Sequence, residues 1–153
     1  MAAQADLSWT PAVRPSHDVA VGPVLPERGS MMAIQEVAVV SIPVSDPARA
    51  KAFYVDVLGL ELVHEDDSVP GLHWIQVAPR DGTTALTLVT WFESMPAGSL
   101  RGLVLRSPDL ASDYEELVAK GVEFDGPPRR TPYSEAETVL RDPDGNGLVL
   151  QQA

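Results

Sequence analysis

The sequence contains no cysteine, and it is also short of long apolar runs. Without cysteine the chain has no disulfide, no thiolate nucleophile and no zinc–sulfur site. No apolar run approaches the ~20 residues of a membrane-spanning helix, and the first 32 residues lack the continuous apolar stretch of a signal peptide. We therefore expect a cytoplasmic protein with no membrane partner.

Basic side chains are the second shortage, because 11 Lys and Arg stand against 22 Asp and Glu, a formal net charge of −11. Nucleic-acid binding needs a basic surface that neutralises phosphates, so we expect no nucleic-acid partner. An acidic surface favours solubility and attracts cationic small molecules. With 44% hydrophobic and 22% charged residues, the composition is otherwise that of a globular protein.

The length of 153 residues predicts a single domain. Residues 1–32 carry four prolines and no sustained periodicity, so we expect a flexible N-terminal extension there. The domain is expected over residues 33–153.

A strand–helix–three-strand plan occurs twice within that domain. The stretch Asp46–Gly59 begins with Asp-Pro, a helix-capping signal, and ends at glycine. A second predicted helix of similar length begins 63 residues later at Pro108-Asp109-Leu110 and ends at Gly121. The sequence thus predicts an α+β fold of two modules, module one at about 34–92 and module two at about 100–152.

One amphipathic helix per module covers one face of a sheet and leaves the other face open. If side chains alternate along each strand, the open faces carry Val39, Ser41, Thr87, Val89, Leu103, Leu105, Val149 and Gln151. The helix-facing set is then Val40, Ile42, Leu86, Leu88, Val104, Leu148 and Leu150. A mostly apolar face with a few hydroxyl and amide groups suits a small organic ligand. The alternative is that the two open faces close on each other as a core.

The stretch "DPDGNG" begins at Asp142 and places Asp, Asp and Asn at the first, third and fifth positions of a calcium loop. The pattern also needs a Glu at its twelfth position, and that position is Ala153. Pro143 and Gly145 favour a turn. We therefore interpret the stretch as a hairpin turn.

Two stretches, "VSDPARAKAFYVDVLGLEL" (Val44–Leu62) and "DPDGNGLVLQ" (Asp142–Gln151), resemble the hallmarks of the vicinal oxygen chelate superfamily. This superfamily includes glyoxalases, bleomycin-resistance proteins and extradiol dioxygenases. The resemblance extends from about Ile34 to Gln151. It implies two βαβββ modules that curl into a U-shaped mixed sheet around a ligand cavity, and a homodimer.

The metal-dependent members of that superfamily carry four His or Glu ligands on the cavity wall. The matching positions here are Val39, Thr87 (or Val89 after a shift of two residues), Leu103 and Val149. None of these side chains holds a divalent cation well. We therefore expect no metal and no other cofactor.

Trp74 and Trp91 are the aromatic residues that we expect to contact a ligand. His73 is a candidate general base if an acidic partner fixes its tautomer. Tyr133 and Glu135 lie in a loop that could cover the cavity, and they are the other acid–base candidates. His64, in the charged stretch "ELVHEDD", is interpreted as a solvated surface residue.

Three functions remain open at this point. The first is a metal-free binding protein that sequesters or carries a small, largely apolar molecule. The second is a metal-independent lyase, isomerase or cyclase, so whether the protein is an enzyme is undecided. The third is a scaffold or regulatory subunit without an open pocket.

Overall fold

Two β-sheets, each accompanied by one helical segment, make up the chain in a computed structural model that describes residues 33–153. The predicted flexible extension, residues 1–32, lies outside the described residues. Residues 35–153 form one compact unit. No helix within the described part is long and apolar enough to cross a membrane.

Sheet 1 belongs to module one and has the strand order β1-β4-β3-β2, with β1 and β4 parallel and the other pairs antiparallel. Its elements are β1 (Val39–Pro43), α1 (Pro47–Ala52), a π-helical segment (Phe53–Val57), β2 (Glu61–Asp66), β3 (Trp74–Ala78) and β4 (Ala85–Val89).

Sheet 2 belongs to module two and has the order β5-β9-β8-β6, with β7 also paired to β8. Its elements are β5 (Leu103–Ser107), α2 (Leu110–Ala119), β6 (Glu123–Phe124), β7 (Arg129–Thr131), β8 (Ser134–Arg141) and β9 (Gly147–Gln152). The paired-module α+β architecture is confirmed. The β7–β8 hairpin replaces the loop expected around Tyr133.

Helix α1 begins where the sequence predicts. The Asp46 carboxylate accepts hydrogen bonds from the amides of Ala48 (3.0 Å) and Arg49 (3.1 Å), and Pro47 occupies the first turn. These contacts satisfy amides that have no partner inside the helix.

The second half of the predicted helix, Phe53–Val57, is a π-helix and not an α-helix. The amide of Leu58 donates to the carbonyl of Phe53 (3.0 Å), five residues back, and Gly59 ends the segment with φ of 75°. Glycine adopts this left-handed conformation without the steric penalty of a side chain.

Helix α2 buries Leu110 and Leu117, as its apolar spacing predicts. Val118 follows directly on Leu117 but is 48% exposed, because adjacent helical residues point about 100° apart.

Buried side chains from both modules form one hydrophobic core, which uses the helix-facing side of each sheet. The expected inward residues Ile42, Leu86, Leu88, Leu148 and Leu150 all belong to it. We call the opposite side of each sheet its open face.

The predicted orientation of β5 is wrong. Leu103 and Leu105 pair with buried residues of β9 and pack against the core, whereas Val104 pairs with Val149 and is 48% exposed. The run Leu103–Leu105 is apolar throughout, so its composition did not mark the inward side. Arg106 did mark it, because Val104 shares its face by alternation.

The Asp-rich turn between β8 and β9 joins the two modules through buried hydrogen bonds. The Asp142 carboxylate, 5% exposed as a residue, accepts from the Tyr54 hydroxyl (2.8 Å) and from the Asn146 amide and side chain (2.8 Å each). Asn146 also donates to the carbonyl of Pro43 in module one (2.8 Å). The carboxylate oxygens are thus engaged inside the protein, which supports a turn over a calcium loop.

A second layer of hydrogen bonds, centred on the Asp144 side chain, adjoins this joint. Asp144 accepts from the amide of Ser45 (3.1 Å) and from Nη2 of Arg49 (3.1 Å), and the Ser45 hydroxyl also donates to it. The turn therefore contacts the start of α1 as well as the end of β1.

Candidate functional site

A polar row crosses the open face of sheet 1 through all four strands. Ser41, Thr87, Gln76 and His64 are successive partners in the strand register, and they share one face. Gln76 Nε2 donates to Thr87 Oγ1 (3.1 Å). Thr87 is only 1% exposed, so this hydrogen bond lies in a protected environment.

An aromatic surface adjoins this polar row. Trp74 alternates with Gln76 along β3, and its ring stacks on Trp91 with centroids 5.4 Å apart and planes at 16°. Phe92 extends the group, with its ring centroid 5.9 Å from that of Trp91. The structure thus brings together both tryptophans predicted for the site, and the buried Val89 shares the strand face of Thr87.

His64 is exposed, as expected of a solvated surface residue, but it lies on strand β2 on the open-face side and not in a turn. A bulge between Leu62 and His64 places the histidine opposite Gln76. The sequence predicted a strand around Leu60–His64, but the bulge breaks simple alternation, so the face on which His64 lies could not be predicted. Asp66 follows on the same side, and the hydrogen bond from the Ser68 amide holds the pKa of that carboxyl below its ordinary value.

His73 does find an acidic partner, but away from the tryptophan pair. Its Nε2 lies 2.9 Å from Oε1 of Glu65, which also accepts from Lys51 of α1 (2.8 Å). The register pairs Glu65 with the core residue Ile75, so the cluster lies on the helix side. Hydrogen bonds from Lys51, and then from His73, lower the pKa of Glu65.

Tyr133 and Glu135 lie on the β7–β8 hairpin. Tyr133 is 89% exposed, and Glu135 forms an exposed ion pair with Arg130 (3.1 Å). Neither side chain has a hydrogen bond to the polar row of sheet 1 among the described contacts. Their predicted acid–base role stays a prediction.

The open face of sheet 2 has an apolar row beside a polar one. Val104, Val149 and Val139 are register partners across β5, β9 and β8. Arg106 and Gln151 follow in the next row, where Arg106 Nε donates to Gln151 Oε1 (3.3 Å). The sequence analysis placed Val149 and Gln151 on this face, as the structure does, and did not consider Arg106.

The superfamily's metal site does not fit these side chains. Val39, Thr87 and Val149 lie on open faces but carry no carboxylate or imidazole. Leu103 points to the core, and Val104 takes its place on the open face. Residues 33–153 contain no group of three or more His, Asp or Glu residues arranged to hold a metal ion.

Neither β1 nor β5 has a second strand neighbour within the described part of the chain. A cavity of about 560 Å³ runs past β5 and is bordered by Leu60, Pro79, Leu105 and Lys120 among others. Strands β1 and β5 are thus edge strands of their sheets.

Residues 34–150 match the family model of the Glyoxalase/Bleomycin resistance protein/Dioxygenase superfamily. The chain belongs to this superfamily. The superfamily resemblance seen in the sequence is thereby confirmed.

Solved structures of the superfamily include similar chains. TnmS3, an antibiotic binding protein from Streptomyces sp. CB03234, is 46% identical with a TM-score of 0.74, covering 80% of this chain and 98% of its own. A glyoxalase/bleomycin resistance protein from the same organism is 45% identical with a TM-score of 0.68, covering 76% of this chain and 100% of its own. By sequence, the chain is also similar to the protein YetH of Bacillus subtilis (strain 168). The two are 28% identical over 122 residues, which are 78% of this chain and 99% of YetH.

Proposed function

We propose that this protein binds a small, largely apolar organic molecule without a metal ion, in a sequestration or carrier role. The observation that carries the proposal is the stacked Trp74–Trp91 pair beside the Gln76–Thr87 hydrogen bond on the open face of sheet 1. Aromatic rings supply a large apolar contact area, and a few fixed polar groups orient the ligand.

The side chains at the four metal positions support the metal-free part of the proposal. Without carboxylate or imidazole at Val39, Thr87, Val104 or Val149, these four positions offer a cation no strong ligand. The similarity to TnmS3, an antibiotic binding protein, supports an antibiotic-like natural product as the ligand.

The free edges of β1 and β5 support a homodimer in which two copies complete the cavity. Unpaired edge strands expose backbone donors and acceptors, and a second strand satisfies them. Val39 (42% exposed) and Val104 (48% exposed) lie on these two strands and would be covered by that contact. Each cavity then combines the open face of sheet 1 from one copy with that of sheet 2 from the other.

A thermal-shift screen of aromatic natural-product antibiotics, followed by titration of each stabilising compound, tests the proposal. A ligand that binds the native state raises the melting temperature with its concentration. We expect stabilisation that Trp74→Leu and Trp91→Leu both reduce, while the melting temperature of each variant without ligand reports its folding.

Stabilisation that survives both substitutions in folded variants would place the ligand elsewhere. A panel in which no compound shifts the melting temperature would argue against a binding role.

A further inference from the structure

A chain of three polar side chains crosses the open face of sheet 2 and ends in a guanidinium group. Arg106 donates from Nε to Oε1 of Gln151 (3.3 Å), and Gln151 donates from Nε2 to Oε2 of Glu137 (3.3 Å). The strand register places the three on adjacent strands β5, β9 and β8. Gln151 is therefore fixed at both ends of its amide.

This arrangement orients Arg106 and leaves its outer edge available. Within residues 33–153, neither Nη atom of Arg106 has a hydrogen-bond or ion-pair partner. Because Nε is engaged by Gln151, the two Nη groups present N–H donors in a held plane. Such an edge matches the two oxygens of a carboxylate, or a single acidic phenol oxygen.

The surroundings of this cation are apolar on one side. The adjacent row is formed by Val104, Val149 and Val139, so a ligand body lying on these valines would bring an attached oxygen towards Arg106. Val104 and Arg106 are exposed, so a ligand body lying on the valines would displace water there and strengthen a charge-assisted hydrogen bond to Arg106.

We propose that Arg106 is a specificity-determining residue that selects ligands whose apolar aromatic body carries a carboxylate or an acidic phenol. The inference rests on the proposed function, because it names the ligand class of the same cavity. It predicts a preference opposite to that of the net charge of −11, which by itself attracts cations. Direct contact with Arg106 should outweigh the net charge of the protein, because salt screens charges that lie more than about 8 Å from the ligand.

Three naphthalene probes of nearly one shape test the charge preference: 2-naphthoate, neutral 2-naphthamide and cationic 2-naphthylmethylammonium. Their affinities for the full-length protein are measured by calorimetry. We expect 2-naphthoate to bind about tenfold more tightly than 2-naphthamide, as charge-assisted hydrogen bonds are about twice as strong as neutral ones. The cationic probe should bind most weakly.

Substitutions then assign the preference to Arg106. Arg106→Gln should remove it, whereas Arg80→Gln, which deletes the same charge at an exposed turn, should keep it. Glu137→Gln keeps an acceptor for Gln151 but removes a neighbouring negative charge, so it should strengthen 2-naphthoate binding. The melting temperature of each variant reports its folding.

Equal affinities for the three probes would overturn this inference, as would an unchanged preference in Arg106→Gln. Equal affinities that still depend on Trp74 would leave the proposed function standing. Failure of all three probes and of the antibiotic panel would overturn both.

Discussion

Tyr54 makes a direct hydrogen bond between the two modules. Its hydroxyl donates to the buried carboxylate of Asp142, 88 residues away in the sequence. Burial, and next the negative charge of Asp142, raise the pKa of Tyr54, so the phenol stays protonated and remains a donor. No sequence pattern indicated this contact, because Tyr54 lies in a predicted helix and Asp142 in a predicted turn, and neither position requires a distant partner.

Tyr54→Phe should lower the free energy of unfolding by about 1–3 kcal/mol, because Asp142 keeps its burial and loses a donor. Urea denaturation measures the change. Tyr114→Phe is the matched control: this tyrosine packs edge-on against Phe124 and its hydroxyl has no hydrogen bond in the described contacts. Equal stability of Tyr54→Phe and the wild type would contradict the role assigned to the joint.

Asp125 provides a pH-dependent contribution through its ion pair with Arg141 (2.6 Å). The hydrogen bond from Arg141 lowers the pKa of the Asp125 carboxyl in the folded state. A lowered carboxyl pKa stabilises the fold above the unfolded value of about 3.9, and this stability is lost as the pH falls through the folded pKa.

Asp125→Asn should therefore melt at a lower temperature than the wild type at pH 7, and the gap should shrink below about pH 4. Melting curves across this range measure the gap. Asp67→Asn, at an exposed position without an ion pair in the described part, controls for loss of charge. A gap that stays constant down to pH 2 would exclude the Asp125 carboxylate as its source.

At the scale of elements, the linker between the modules approaches the β8–β9 turn closely at Gly98. This glycine has φ of 80°, and a Cβ built on it would collide with the carbonyl oxygen of Asp144. Gly102 has nearly the same φ, 81°, but nothing within 4 Å of its Cβ position. The two glycines thus separate backbone conformation from crowding.

Gly102→Ala should cost about 1–2 kcal/mol of stability, the penalty of a left-handed residue with a side chain. Gly98→Ala should cost clearly more, because the linker or the turn must also move. Denaturant midpoints of the two variants measure the difference. Equal losses would mean that the close approach is relaxed without cost.

The strands show how far sequence reasoning reached and where it stopped. β4 was oriented correctly because Thr87, Val89 and Trp91 alternate with core leucines. β5 was not, since Leu103–Leu105 is apolar throughout and the signal from Arg106, which shares a face with Val104, was not used. In β2, a bulge changes the face on which His64 lies. Residues Arg129–Thr131 form a strand where a loop was expected, because the neighbouring prolines favour a loop. In these strands the pairing with distant strands, and not the local sequence pattern, determines which side chains face the core.

At the scale of the whole molecule, the proposed cavity is formed by the open face of sheet 1 in one copy and that of sheet 2 in a second copy, so it exists only in a dimer. Val104 on β5 and Val118 on α2 are both 48% exposed, so they form a matched pair. Val104→Lys places a charge in the proposed interface and should weaken dimerisation by at least about tenfold. Val118→Lys should not.

Sedimentation equilibrium across a range of protein concentrations distinguishes the two variants. A wild type that stays monomeric at all concentrations, or a Val104→Lys variant that dimerises normally, would contradict the shared cavity.

Ligand binding without a metal is the central claim, and calorimetric titration of chelator-treated protein tests it most directly. The titrant is the most stabilising aromatic compound of the antibiotic panel. We expect saturable binding at full affinity in the presence of EDTA, unchanged when EDTA is removed and zinc, nickel or iron is added. Binding that appears only after one of these metals is supplied would contradict the account.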